Sequence, residues 1–105
     1  MAAFVKVGKL SDFPPGEIRA CRPEAAGESV AVVNVSGRLY AFSNYCTHAG
    51  LDLSSGFLSD RGVVCMYHGS VFDAASGEAV GGPAQEALAL YAVRVEGDDV
   101  LIAKE

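Results

Sequence analysis

Two short segments that pair a cysteine with a histidine constrain this chain more than any other feature. The first reads CTHAG from Cys46, and the second reads CMYHGS from Cys65. Together they contain both histidines and two of the three cysteines of the chain. Each segment places a thiol and an imidazole on a short loop with a glycine, where both side chains can face one metal centre. A fold that uses them together has to bring two loops, separated by residues 49–64, to one point.

Two kinds of metal centre fit this donor set. Zinc binds two cysteines and two histidines tetrahedrally, but its usual sequence pattern places cysteine near cysteine and histidine near histidine. Here each loop carries one of each, as C-x-H and C-x₂-H. Mixed loops suit a two-iron cluster in which two thiolates bind one iron and two imidazoles bind the other. The spacing favours the iron cluster, and a structural zinc module that mediates protein interactions stays open as an alternative.

The remaining sequence is typical of an all-β protein made of short antiparallel strands. Apolar runs rich in Val, Leu, Tyr and Phe are broken by glycine-containing turns, and no window shows a helical apolar stripe. The only helical prediction is a single turn over 84–87. Strands are predicted over Phe4–Val7, Glu17–Ala20, Val30–Val35, Arg38–Phe42, Leu88–Val95 and Val100–Ala103. The turn residues Ser36-Gly37 and Glu96-Gly97-Asp98 predict two hairpins, one after Val35 and one after Val95.

Length and charge narrow the function further. The 105 residues suit a single domain over 1–105. Eight basic and 13 acidic side chains give a net charge of −5, which argues against a nucleic-acid partner and favours docking on a basic protein surface. No secretory leader and no apolar stretch of roughly 20 residues is present, so we expect a cytoplasmic protein without a membrane partner.

At the two loops the sequence resembles the Rieske family. The pattern C-x-H-x-G-x-x-L-x-x-G runs from Cys46 to Gly56, and H-G-x-x-F-D-x-x-x-G runs from His68 to Gly77. The run Gly81-Gly82-Pro83 is similar to the proline loop that covers the cluster in that family. The specific resemblance spans residues 45–83, and the strand pattern extends it weakly over most of the chain.

The resemblance implies a Rieske fold, an antiparallel β-sandwich or barrel with a small cluster-binding subdomain at about 43–87. It implies one [2Fe–2S] cluster per chain, with Cys46 and Cys65 on one iron and His48 and His68 on the solvent-facing iron. Ser70 either donates a hydrogen bond to a cluster sulfide or caps its loop. Five residues are expected around the ligands: Gly50, Tyr67, Gly69, Ser70 and Pro83.

Departures from other branches of the family indicate a free-standing ferredoxin. Leu51 and Tyr67 stand where respiratory members carry two further cysteines that form a disulfide, and Phe72 stands where they carry a tyrosine donor. We therefore expect a reduction potential at the low end of the Rieske range of roughly −150 to +300 mV. Cys21 has no partner in the sequence and is expected to be an inert thiol.

The resemblance implies an electron carrier, not itself an enzyme, in a ring-hydroxylating dioxygenase system of aromatic hydrocarbon catabolism. A monomer would dock transiently, first on an NAD(P)H-dependent flavin reductase and then on the terminal oxygenase. The Rieske small subunit of a reductase such as nitrite reductase is the alternative within the family.

Overall fold

The computed structural model describes residues 3–47, 52–66 and 69–104, and it contains ten strands and three short 3₁₀ helices there. The helices span Leu10–Asp12, Glu24–Ala26 and Leu53–Ser55. None of the helices in this part of the chain is long and apolar enough to cross a membrane. The strands are β1 Val5–Lys9, β2 Ile18–Cys21, β3 Val30–Val35, β4 Arg38–Ser43, β5 Phe57–Ser59, β6 Gly62–Val64, β7 Val71–Phe72, β8 Ala79–Gly81, β9 Leu90–Glu96 and β10 Asp99–Lys104.

The strands form two antiparallel sheets. The larger has the order β1-β10-β9-β4-β3-β2, and the smaller has the order β5-β6-β7-β8. The chain thus builds part of the large sheet, leaves it after β4 to build the whole small sheet, and returns with β9 and β10. The prediction of an all-β, antiparallel architecture is confirmed.

The two predicted hairpins of the large sheet are also confirmed. Val35 pairs with Arg38 across a turn in which Ser36 and Gly37 both have positive φ, 54° and 95°. Positive φ at both central residues is the backbone of the type I′ turn, which matches the twist of the flanking strands. In the second hairpin, Glu96 pairs with Asp99 across a turn at Gly97.

Strand β3 is buried on both faces because two cores lie on either side of it. Val30 and Val32 belong to one core, which we call the large-sheet core, and Ala31 and Val33 belong to the other, the inter-sheet core. Alternation along a strand sends successive side chains to opposite faces, which explains the unbroken apolar run. The large-sheet core consists of Phe13, Val30, Val32, Ala41, Tyr91, Val100 and Ile102. The inter-sheet core consists of Ala31, Val33, Phe42, Cys46, Leu53, Val63, Cys65, Phe72, Ala74, Ala84 and Leu88.

The predicted turn of helix over 84–87 is wrong. These residues are irregular, because their backbone groups bond to other loops instead of to each other. The Ala84 N–H donates to Ser70 Oγ at 3.2 Å, and the Glu86 carbonyl accepts from Thr47 Oγ1 at 2.7 Å. The predicted strand over Leu88–Val95 begins two residues later, at Leu90, since Leu88 instead donates its N–H to the Gly77 carbonyl at 2.8 Å.

Candidate metal centre

The structure brings the two cysteines of the Cys–His segments into one core. Cys46 follows β4 and Cys65 follows β6, yet both belong to the inter-sheet core and are 1% and 0% exposed. None of the three cysteines, all of which are described, is in a disulfide. Two thiols from separate loops, buried in one core, are half of the donor set that a two-iron cluster requires.

The other predicted ligands, His48 and His68, lie outside the described residues. So do Gly50 and Tyr67 of the expected surroundings. Within residues 3–47, 52–66 and 69–104, no three Cys, Asp or Glu side chains are grouped so that they could hold a metal ion. The four-ligand set therefore remains a prediction, and the described thiols fit it.

Asn44 fastens the start of the first cysteine loop. Its side chain is 1% exposed, and its Nδ2 donates to Ser29 Oγ and to Ser54 Oγ, both at 3.1 Å. Its Oδ1 accepts from the Ser54 backbone N–H at 2.8 Å. The amide thus joins the large sheet, just before the start of β3, to the 3₁₀ helix that follows the loop, through hydrogen bonds that are partly buried.

Sequence analysis did not single out Asn44. The available signal was a polar residue two positions before Cys46, between an apolar strand and a predicted ligand. It was not decisive, because asparagine is common in surface turns.

Hydrogen bonds close the second cysteine loop on itself. The Cys65 N–H donates to the Ser70 carbonyl at 2.8 Å, and the Gly69 N–H donates to the Cys65 carbonyl at 3.1 Å. Gly69 has a φ of 73°, a left-handed conformation that glycine adopts without a steric penalty. Glycine at position 69 therefore permits the turn that closes this loop.

Ser70 is fully buried, and its Oγ accepts the Ala84 N–H. A hydroxyl that accepts one hydrogen bond keeps its own proton to donate. Both sequence interpretations of Ser70 are therefore compatible: it ties its loop to residue 84, and its O–H remains available as a donor.

The segment that carries Pro83 lies against the second cysteine loop. Gly82 has a φ of 76°, and a Cβ at that position would lie 2.6 Å from both the Gly69 oxygen and the Ser70 Cα. Only a residue without a side chain permits that approach. Pro83 itself is exposed, and its neighbour Ala84 is buried in the inter-sheet core.

Thr47 ties the first cysteine loop to the same segment through its hydrogen bond to the Glu86 carbonyl. Residues 82–86 therefore contact both cysteine loops, one through Gly82 and the other through Glu86. Sequence analysis did not single out Thr47, because a hydroxyl that bonds a carbonyl 39 positions away leaves no local pattern.

Cys21 is placed apart from the site. It lies on β2, packs against the large-sheet core, and its pKa is raised because burial disfavours the thiolate. A raised pKa lowers the thiolate fraction and hence the reactivity, as expected for an inert thiol.

Comparison with known proteins places the chain in a family. Residues 3–92 match the model of the Rieske [2Fe-2S] domain. The ferredoxin component of biphenyl 2,3-dioxygenase from Rhodococcus jostii is 38% identical over 103 residues, 98% of this chain and 94% of the relative. Ferredoxin is an electron carrier, and the relatives that match across their length are named as such components.

Solved structures agree with the sequence match. The Sphingomonas yanoikuyae B1 ferredoxin superposes with a TM-score of 0.90 at 29% identity, over 98% of this chain and 100% of that one. A chain from the complex of reduced oxygenase and oxidised ferredoxin in carbazole 1,9a-dioxygenase has a TM-score of 0.89 at 32% identity, with 97% and 95% covered. The architecture is the Rieske fold that the resemblance implied. This chain belongs to the Rieske [2Fe–2S] family.

Proposed function

We propose that the chain is the ferredoxin component of an aromatic ring-hydroxylating dioxygenase system. It would carry single electrons from an NAD(P)H-dependent flavin reductase to the terminal oxygenase. The observation that carries the proposal is the convergence of Cys46 and Cys65, from two separate loops, in one buried core. The match to a dioxygenase ferredoxin over nearly the whole of both chains supports the system to which it would belong.

Four residues would hold one [2Fe–2S] cluster per chain: Cys46 and Cys65 on one iron, and His48 and His68 on the other. The cluster supplies reversible one-electron oxidation and reduction. The chain supplies the dry surroundings: the buried thiols exclude water from their side, and the Gly82–Ala84 segment closes over the second loop. Burial of the thiolates and hydrogen bonds to sulfur are the means by which a protein sets the potential.

The reduction potential is expected in the low part of the Rieske range. Phe72 is fully buried in the inter-sheet core and has no hydroxyl to donate. The buried Ser70 is then the one side-chain hydroxyl among the predicted surroundings that the structure describes. A redox titration that gives a potential above about +100 mV would contradict this expectation.

The domain organisation fits a carrier that docks by one end. We propose a single domain over 1–105, in which residues 43–87 form the cluster-binding subdomain. This segment includes the whole small sheet and both cysteine loops. Docking would be transient and the carrier would be a monomer, because it must leave the reductase before it reaches the oxygenase. We also propose that the carrier is cytoplasmic.

The test is the visible absorption and EPR spectrum of purified protein before and after dithionite. We expect a red-brown protein whose reduced form gives a rhombic signal with an average g below that of all-cysteine ferredoxins. Reduction by a flavin reductase and reoxidation by a terminal oxygenase then test the carrier role. A colourless, EPR-silent protein that holds zinc after anaerobic purification would establish the zinc module instead. A red protein in permanent association with a large reductase subunit would identify a reductase small subunit.

A further inference from the structure

The outer face of the β5–β6 hairpin carries exposed apolar side chains. Phe57 lies directly opposite Val64 in the ladder. Their chain neighbours Leu58 and Val63 pack against or within the inter-sheet core. Because side chains alternate along a strand, Phe57 and Val64 project from the opposite face, where Phe57 remains 51% exposed.

A further exposed apolar side chain follows in the sequence, at the start of the second cysteine loop. Val64 is followed by the fully buried Cys65 and then by Met66, which is 59% exposed. Of the large apolar side chains that the structure describes, Met66 and Phe57 are the two most exposed. Single exposed apolar residues are ordinary on a protein surface, whereas neighbouring ones mark interaction sites. We call Phe57, Val64 and Met66 the apolar stripe.

Exposed negative charge lies at the first cysteine loop. Asp52 closes the first cysteine loop through its bridge to Tyr45, and Glu86 is joined to that loop through Thr47. Both side chains are exposed, and neither takes part in the four ion pairs found among the described residues. Residues 43–87 carry five acidic side chains and one basic one, which gives −4 of the total charge of −5.

The single basic residue of that segment marks the other margin of the same sheet face. Gly81 lies opposite Val71 at the end of the row that begins with Phe57. A Cβ on Gly81 would lie 3.0 Å from Arg61 Nη2, which donates to the Val80 carbonyl at 3.0 Å. The face therefore has a cation at its β8 margin, whereas the exposed carboxylates of Asp52 and Glu86 belong to the first cysteine loop.

We propose that the terminal oxygenase rests on the apolar stripe, with an apolar surface against Phe57 and Met66 and cationic side chains facing Asp52 and Glu86. This inference rests on the proposed function and adds which face of the small sheet the partner contacts. Apolar contact supplies affinity, while the separated carboxylates and Arg61 fix the orientation of the partner. A ferredoxin 32% identical to this chain is known in complex with the oxygenase of carbazole 1,9a-dioxygenase.

The experiment measures electron transfer from the reduced, cluster-loaded protein to an oxidised oxygenase by stopped flow at increasing oxygenase concentration. The probes are the oxygenases of the biphenyl 2,3-dioxygenase of Rhodococcus jostii and of carbazole 1,9a-dioxygenase. We expect Phe57→Ser to raise the concentration for half-maximal rate about tenfold, equivalent to about 1.4 kcal/mol. The saturating rate, the EPR spectrum and the potential should stay at wild-type values, because the Phe57 side chain projects from the face of the small sheet opposite to the core that contains the two cysteines.

Val95→Thr is the matched control. Val95 is a 45% exposed apolar residue on β9, in the hairpin of the large sheet, and we expect a change of less than about twofold in the same measurement. Met66→Gln is a second variant on the stripe and should weaken docking in the same direction. Asp52→Asn should leave the apolar contact with the oxygenase unchanged and should make the rate depend less on salt concentration.

The outcomes distinguish a failure of the docking inference from a failure of the proposed function. If Phe57→Ser, Met66→Gln and Val95→Thr all behave like the wild type, the stripe is not the docking face, while wild-type electron transfer still supports the proposed function. If the variants slow only the reaction with the flavin reductase, the occupant is the reductase and the inference is wrong. If the wild type reduces neither oxygenase, the proposed function fails, and the docking inference fails with it.

Discussion

The two sheets of this protein are stabilised in different ways. The strands of the large sheet are four to seven residues long, and they are joined by long ladders around an apolar core. The strands of the small sheet are two or three residues long. Its order depends on buried polar anchors, on close glycine contacts and on a core that contains two thiols.

The net charge also differs between residues 43–87, which include the small sheet, and the rest of the chain. The 45 residues over 43–87 have a net charge of −4, and the remaining 60 residues, with eight acidic and seven basic side chains, have −1. Ion pairs such as Lys9–Asp99, at 2.8 Å, lie in the large sheet. The comparison teaches that the large sheet is stabilised by its own ladders and ion pairs, so we predict that it stays folded without a cluster, whereas the small sheet depends on the inter-sheet core and the two cysteine loops.

The largest expected effect is on cluster retention. Cys65→Ser removes a predicted ligand from the inter-sheet core, so we expect complete loss of iron and of visible absorption. The small sheet should also lose amide protection in hydrogen exchange while β9 and β10 keep theirs, because the two thiols are buried in only one of the cores.

Cys21→Ser is the control for that loss, since Cys21 packs against the large-sheet core. It should retain a full complement of iron. Equal loss of protection in both sheets of Cys65→Ser would mean that the large sheet is not self-sufficient.

The next largest effect concerns the Asn44 anchor of the first cysteine loop. Asn44→Ala removes three partly buried side-chain hydrogen bonds and leaves Ser29 and Ser54 without their amide partner. We expect a loss of about 2–4 kcal/mol in the free energy of unfolding, measured by urea denaturation of the cluster-loaded protein. Asn44→Asp keeps the acceptor and loses the donor, and it should fall between the wild type and the alanine variant.

A pair of glycines compares the two regions directly. Gly82 and Gly97 have similar positive φ, 76° and 61°, but only Gly82 has backbone atoms where a Cβ would go. Gly97→Ala should cost about 1 kcal/mol from backbone strain alone. Gly82→Ala should cost about 2 kcal/mol more, because the chain must shift away from the second cysteine loop. Thermal or urea unfolding of both variants gives the difference, and equal costs would show that the close approach is not required.

A smaller effect is expected on the reduction potential. Ser70→Ala removes a buried hydroxyl whose proton remains free to donate, and we expect the potential to fall by about 50 mV, the equivalent of one hydrogen bond. The measurement is a redox titration monitored by absorbance. An unchanged potential with reduced stability would assign Ser70 only to its bond with Ala84.

The smallest effect lies in the large sheet and should leave the cluster untouched. The Tyr91 hydroxyl donates to Glu28 Oε2 at 2.5 Å, and burial, followed by this hydrogen bond and the Glu28 charge, raises the Tyr91 pKa far above 10. Tyr91→Phe should lower the free energy of unfolding by about 1 kcal/mol at neutral pH, with the same potential as the wild type.

The pH dependence of that stability follows from the raised pKa. Between the pKa of the unfolded chain, near 10, and the higher pKa of the folded protein, the folded state binds more protons, so the wild-type stability falls as pH rises above about 10. Tyr91→Phe should lack this contribution to the fall. Unfolding curves of both proteins at pH 9 and above test it, and parallel losses would exclude Tyr91 as the cause.

The sequence alone determined the scaffold and singled out the two cysteines that the structure buries in one core. Alternation of apolar residues and the Ser36-Gly37 turn predicted the β3–β4 hairpin to within one residue, because turn chemistry and side-chain period act locally. The two cysteine–histidine segments predicted that Cys46 and Cys65 would share one core, as the structure shows, and the convergence of His48 and His68 with them stays a prediction.

Tertiary structure alone decided how the loops are held. The amide of Asn44, the Thr47–Glu86 bond and the contact of Gly82 with the Gly69–Ser70 backbone join residues that are 10 to 39 positions apart. Local propensity does not encode such bonds. The helical prediction for residues 84–87 is wrong for the same reason, because these residues bond to distant loops. The exposure of Phe57 and Met66 was likewise hidden, since only the pairing of β5 with β6 shows which face an apolar side chain takes.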